Sequence, residues 1–475
     1  MSQLNGVIAT SRFGYGAIEN ELLLANKSPK SWLIKQLSQQ PAVTFDEKLP
    51  HSNDVFAQLF EYRKLKRAQK KAQTKDMSLA EDKKIKNPAR KFLIQFSADT
   101  LMQAIQSNHS LNWRLLDFFS NHFSVTAAGP VMAGIAPTLE REAIAPNLLG
   151  NFEDILLSVT QHPAMLIYLN NEKSFGPHSR LGKRGLGLNE NLAREILELH
   201  TLGVNSGYQQ SDVIALAKGI TGWSVARPKR NEGQGFVYRV NGHEPGSFTL
   251  LGKSYSAKNQ QQGINMLKDL ANHPKTARHL CYKLAHHFIS DTPSEKLLAQ
   301  LTRRWMATKG NIKEVMITLI NSDEAWQAQK QKFKSPREFF ISSLRALNIN
   351  DATPYLSGKK NNSVKNDRMH KKTHRKPTSR KLINTLTELG QRPFNAGSPA
   401  GYSDKQEDWD GSSALMAKID WIANLASKMN SNAETILNNT LGDTASELTY
   451  NMVLRAESRE KALTLLLMSP ELVRR

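Results

Sequence analysis

Apolar side chains recur along most of this chain at the spacing of one face of an α-helix. Over Thr276–Ser290, Ala277, Leu280, Cys281 and Leu284 fall at i, i+3, i+4 and i+7, and Phe288 extends the stripe. That period predicts a helix with one buried face and places His279, Lys283 and His286 on the opposite one. Two helix starts share a layout: Gly150-Asn151-Phe152-Glu153-Asp154 and Gly310-Asn311-Ile312-Lys313-Glu314, each followed by an apolar run. An Asn at the N-cap accepts a hydrogen bond from a free first-turn amide, and an acid three residues on favours the positive end of the helix dipole. The two segments read as an internal echo. The best strand signals are Gly235–Val240 and Ser247–Leu251, rich in aromatic and β-branched residues. The turn-rich link between them, 241–246, predicts a hairpin. With no strand–helix alternation, the expected fold is mainly α: a large multi-helix assembly with one small β-hairpin excursion near 235–255.

Charge changes this picture in two places. Among 475 residues, 64 Lys and Arg stand against 43 Asp and Glu, a formal net charge of +21. Residues 61–91 hold 12 basic and 4 acidic side chains and residues 359–381 hold 10 and 1, so two short stretches carry most of the excess. The first is helix-prone from Tyr62 onward. The second has Val364 and Met369 as its only aliphatic or sulfur side chains, too little apolar surface to offset the entropy of ordering. The expected organisation is an N-terminal helical segment (1–60), a basic insertion (61–91), a central helical domain (92–356), a second basic insertion (357–381) and a C-terminal helical segment (382–475). Basic stretches can hold nucleic acid through its phosphates. The second one has no aromatic residue for base stacking, so a solvated insertion is the preferred reading and nucleic acid the lesser partner. No stretch approaches the roughly 20 apolar residues of a membrane span, so no membrane insertion is expected. Met1–Arg12 lacks the regions of a secretory signal, and Cys281 is the single cysteine, so a cytoplasmic setting is expected. Its place on an apolar stripe predicts a buried, inert thiol.

The densest polar run is Asn189-Glu190-Asn191-Leu192-Ala193-Arg194-Glu195-Ile196-Leu197-Glu198-Leu199-His200, closed by Gly203. On a helix capped by Asn189 or Asn191, Glu195 and Glu198 share a face with Asn191, and Leu192, Ile196 and Leu199 form an apolar one. Two carboxylates one turn apart can share a metal or divide acid and base roles. Arg194 beside them would instead make them ordinary ion-pair partners. His122 follows an amphipathic helix, His243 sits in the hairpin link, and Arg392 lies in the turn-rich stretch Gly390–Tyr402. The expected site therefore has Glu195, Glu198, His122 and His243 as catalytic groups, and Asn189, Asn191, Arg194 and Arg392 as anion or substrate ligands. His122, Glu195 and His243 would hold a divalent metal, the candidate cofactor, with a position open for water. The expected activity is enzyme-like and hydrolytic. The rivals are a non-catalytic helical scaffold for a partner protein and a nucleic-acid binder.

Several blocks carry a resemblance. They are Arg12–Gly16, Asn121-His122-Phe123, Gly150-Asn151-Phe152, His162–Met165, Asn189–Val204, Thr221-Gly222-Trp223, His243–Gly246 with Leu251-Gly252-Lys253, Phe333–Pro336 and Gly390–Asn395. In these blocks, which run over nearly the whole chain, the protein resembles the bacterial family catalogued as domain of unknown function 1800. The N-E-N-x-A-R-E block is the most specific. The resemblance implies a predominantly helical protein of about this size and supplies no reaction. It also implies a partner, because many members occur beside a sulfatase-like family that often bears an export signal; export alongside that partner follows from the same association. The chain departs from the family's usual pattern at Ser120, which weighs against a multi-histidine metal site, and in its two basic insertions.

Overall fold

Residues 3–73, 86–226, 235–256, 258–327, 332–349 and 378–475 are described by a computed structural model. The stripe at 277–288 forms the buried face of a helix, Pro274–Phe288, in which Ala277, Leu280, Cys281, Leu284 and Phe288 are fully buried. Burying a Leu or Phe side chain contributes about 1.5–3 kcal/mol, which fixes that face inward. His273 caps the helix through Nδ1, which accepts the Lys275 amide at 3.1 Å, and Pro274 at the first helical position has no N–H to satisfy. Burial pushes the Cys281 thiol up to about 12, so it is inert. The helix packs on Glu295–Thr308, which packs in turn on Ile312–Asn321. One continuous apolar core extends from Val7 to Val473.

The two Gly-Asn helix starts meet. Phe152 N donates to Gly310 O and Ile312 N to Gly150 O, each at 2.9 Å. Between them, Asn311 Nδ2 donates to Asn151 Oδ1 at 3.1 Å while Asn311 Oδ1 caps its own helix at the Glu314 amide, 3.2 Å away. Asn151 makes no such cap. Its side-chain oxygen is taken by Asn311, so the symmetric pattern in the sequence becomes an asymmetric pair in the fold.

The fold is mainly α, and among the described residues the β structure amounts to two antiparallel two-stranded sheets. Both expected strands form, but they do not pair with each other. β1 (Trp223–Val225) pairs with β2 (Phe236–Tyr238), and β3 (Phe248–Leu250) pairs with β4 (Lys253–Tyr255). The turn between β3 and β4 is Leu251-Gly252, both with positive φ, +50° and +77°. This is the twist that two-residue hairpins favour. Leu251 is held there by its amide, which donates to Asp212 Oδ1 at 2.7 Å. The 241–246 link instead contains a short helical turn, Val240–Gly242.

The first basic stretch continues a long helix, Ser52–Gln73, whose Arg63, Lys64, Lys66, Arg67, Lys70 and Lys71 are exposed. Most of the second lies outside the described residues. Among the described residues no helix is long and apolar enough to cross a membrane.

Candidate functional site

Several segments far apart in sequence enclose a cavity of about 390 Å³. Helix Ser110–His122 is hydrophobic on one side and turns Arg114, Asp117, Asn121 and His122 toward it. Helix Pro274–Phe288 contributes its other face, including Lys283, His286 and His287. The start of helix Pro336–Ala346 supplies Arg337 and Glu338, the loop before helix Ser412–Ala426 supplies Gln391, Phe394, Tyr402 and Asp404 among others, and Tyr15, Thr100 and Glu140 also line the wall.

The third of these is positioned by a reciprocal cap. Ser335 Oγ accepts the Glu338 amide at 3.3 Å and Glu338 Oε2 accepts the Ser335 amide at 3.0 Å. That places Glu338 Oε1 2.9 Å from Arg114 and 3.0 Å from Arg475. Burial pushes the Glu338 carboxyl up, but the two guanidiniums outweigh it and hold it well below the usual carboxylate range. Arg337 grips Asp117 through two parallel hydrogen bonds of 2.8 Å, and Tyr15 donates to the same carboxylate. Asp404 accepts from His287 Nδ1 at 2.7 Å and pairs with Lys332. Since Arg114 can only donate, His287 Nε2 is the acceptor of their 3.1 Å contact, which leaves His287 neutral with its proton on Nδ1. Burial, the largest influence on His287, lowers its pKa in the same sense.

Lys283 stands apart from these pairs. Its Nζ donates to His122 Nδ1 at 2.9 Å, and among the described residues it forms no salt bridge. His122 Nε2 in turn donates to the His200 carbonyl at 3.1 Å. Accepting at Nδ1 and donating at Nε2, His122 is a neutral imidazole with a fixed tautomer. Burial, then Lys283, His200 and His279, keep its pKa well below the ordinary value. Burial lowers Lys283 to about 8 against the opposing field of Asp404. Glu140 accepts from Thr100 Oγ1 at 2.6 Å and Ser120 Oγ at 3.3 Å, and burial raises its pKa despite Arg141.

Of the residues singled out in the sequence, His122 lines this cavity, while Glu195, Glu198, His243, Asn189, Asn191, Arg194 and Arg392 are not among its lining residues. Asn189 Oδ1 accepts the Asn191 amide at 2.9 Å and so starts the motif helix. The helix runs Asn191–Glu195 and then widens into one π-turn, Ile196–His200. The extra residue in that turn rotates His200 inward and leaves Leu199 only half-buried, so the apolar face is Leu192, Ile196 and Leu197. Arg194 lies 3.3 Å from Glu190 and 3.5 Å from Glu198 in a half-exposed cluster. Burial and Glu198 raise the Glu195 pKa, against Arg194. His243 Nδ1 lies 3.1 Å from the Thr221 carbonyl and belongs to the β region. Arg392 is exposed, its carbonyl accepting the Tyr402 hydroxyl at 2.7 Å. Among the described residues no three His, Cys, Asp or Glu side chains are grouped so that they could hold a metal ion, and His122, Glu195 and His243 form no such set.

Sequence reasoning missed Arg114, Asp117, Arg337, Glu338, Lys283, His287 and Asp404. A signal existed for two of them: Ser335-Pro336-Arg337-Glu338 is a capping box with Pro at the first helical position. The buried charges on the amphipathic helices look, in sequence, like a solvent-facing side.

Fold and cavity together define a mainly helical protein with a cavity walled by paired charges. The chain belongs to the family described as protein of unknown function (DUF1800), whose model matches residues 8–474. No curated protein and no solved structure matches it.

Proposed function

We propose that the cavity is the functional site, an enzyme-like chamber that takes a small polar ligand by an anionic group. One observation carries this. Tyr15, Asn121, His122, Ser335, Gln391 and Asn395, from four of the blocks that mark the family resemblance, line the same cavity although nearly four hundred residues separate the first from the last. The charge balance supplies the ligand's sign. Asp117 is matched by Arg337, Glu338 by Arg114 and Arg475, and Asp404 by Lys332 and Arg475, and burial favours the neutral form of Glu140. Lys283 is left with a neutral imidazole as its partner. A carboxylate or phosphate entering the chamber would gain a charge-assisted contact there without displacing an existing pair. Glu140, whose carboxyl burial shifts toward the protonated form, is the candidate proton donor.

The test is a thermal-shift series with acetate, succinate and inorganic phosphate on the full chain. A ligand that binds only the folded state raises the midpoint in proportion to RT ln(1 + [L]/Kd). The expected result is an upshift with at least one anion, abolished in Lys283→Met. No upshift from any of the three, or one that survives Lys283→Met, overturns the reading.

A further inference from the structure

Three lysines stand in or beside the cavity wall, Lys332 and Lys418 buried and Lys283 half-buried, and they differ in what holds them. Lys332 reaches the Asp291 carboxylate and the Asp404 carbonyl. Lys418 lies 3.2 Å from the Lys334 carbonyl and 3.4 Å from that of Trp409, with its Nζ 4.1 Å above the centre of the Phe333 ring. Both are tied by oxygen acceptors and covered. Lys283 alone of the three lines the cavity, and the partner of its Nζ is an uncharged ring nitrogen.

We propose that Lys283 is a reversible imine-forming amine and that the cavity's ligand is a small 2-oxo acid. This rests on the cavity reading above and adds the chemistry of the ligand. A neutral partner does little to keep the amine protonated, and burial lowers its pKa to about 8, so a useful fraction is nucleophilic near neutrality. The 2-oxo acid follows from geometry: a single nitrogen that receives both the anion and the carbonyl requires the two groups on adjacent carbons. The step is balanced without an oxidant or reductant. Once the ammonium has lost a proton to solvent, the Nζ lone pair attacks the carbonyl carbon and the C–N bond forms. The carbonyl π pair moves to oxygen, which takes up a proton to give the carbinolamine. The nitrogen, cationic after the attack, passes a proton through solvent to the hydroxyl; the C–O bond then breaks as the nitrogen lone pair forms the C=N bond, water leaves, and the resulting protonated imine keeps a positive charge next to the carboxylate. His122 is a positioning residue in this scheme: fixed by the His200 carbonyl, it aims Nζ into the chamber.

Glyoxylate with cyanoborohydride tests this on the full chain at pH 7.5, because reduction of the imine leaves a stable carboxymethyl group that peptide mass spectrometry can place. A lysine at about 8 holds far more neutral amine at this pH than one at 10.5. The expected result is labelling of Lys283 at least about tenfold faster than of the exposed Lys183 and Lys309. Labelling of Lys283 no faster than of those two overturns the proposal, and the unmodified protein alone decides it. Lys283→Arg, which keeps the charge but forms no imine, is expected to lose the fast label while retaining the anion-dependent upshift. Loss of that upshift with fast labelling of the wild type intact would remove the anion reading and leave the imine standing. An upshift without fast labelling would do the reverse.

Discussion

The Arg114 guanidinium lies 2.9 Å from Glu338 Oε1, and both side chains are almost wholly buried, with 1% and 8% of their surfaces exposed. Arg475 shares the same oxygen at 3.0 Å and lies 3.6 Å from Asp404, so Glu338 is the carboxylate common to two buried cations. Glu338→Gln keeps an amide oxygen that can still complete the capping box with Ser335, which leaves its NH2 donor facing the two guanidiniums, so the substitution removes both the charge and their acceptor. Two guanidiniums would then be left short of a counter-charge. The expected loss is about 3–5 kcal/mol, seen in urea unfolding as a lower midpoint at unchanged slope. A loss below about 1 kcal/mol would mean that the remaining partners of Arg114 and Arg475 suffice.

The loop that closes the cavity depends on one glycine. Asn121 Nδ2 donates to the Tyr402 carbonyl and Tyr402 N donates to Asn121 Oδ1, both at 2.8 Å, clamping the loop onto the end of helix Ser110–His122. Gly401 precedes Tyr402 at φ +83°, and a Cβ there would stand 2.5 Å from the Asn121 carbonyl oxygen. Gly401→Ala meets both a strained backbone and a clash with main chain, so it should cost about 1–3 kcal/mol. It should also weaken any anion-dependent upshift, because the clamp must move. Unchanged stability in urea would show that the loop is not held as described.

The helical character, the stripe at 277–288 and the inert Cys281 were legible because burial imposes a period that one sequence displays. The same period hid the candidate site. Lys283 falls opposite the stripe, where a surface helix meets water, yet here that side lines a cavity. Periodicity separates two faces without saying what covers the second. The motif Asn189–His200 misled for a local reason, since a π-turn breaks the 3.6-residue count and turns His200 inward in place of Leu199. The strands near 236 and 248 were visible, but their partners were not. β1 is a buried three-residue strand, and β3 turns back through Leu251-Gly252 without the Asn-Gly pair that usually announces such a turn. Convergence of Tyr15, His122, Ser335 and Asn395 is a long-range fact that no local pattern carries.

Acid should destabilise the protein through its buried imidazoles. Burial lowers His200 to about 3, far under the ordinary histidine value of about 6.5. Between those values the unfolded chain binds a proton at this residue that the folded chain does not, so stability falls as pH falls through that window and is fully present above about 6.5. His200 contributes up to about 1.4 kcal/mol per pH unit there. Urea titrations at pH 7, 6 and 5 should show the decline, and His200→Leu should make it shallower. An equal slope in the variant would place the acid sensitivity elsewhere.

Glu195 and Lys283 separate the two places where the chemistry could reside. The carboxylates of the motif helix surround Arg194 at a half-exposed surface, where such pairs are worth about 0–1 kcal/mol. The motif reaches the cavity through its backbone, by way of the His200 carbonyl that fixes His122 and thereby Lys283. Glu195→Gln removes a charge at the surface cluster without disturbing that carbonyl, so it should change stability by less than about 1 kcal/mol and leave the anion-dependent upshift intact. Lys283→Met should abolish the upshift and, by removing an incompletely compensated half-buried cation, should not destabilise the fold. If Glu195→Gln instead abolishes ligand binding at full stability, the motif carboxylates reach the ligand directly and the site must be redrawn around them.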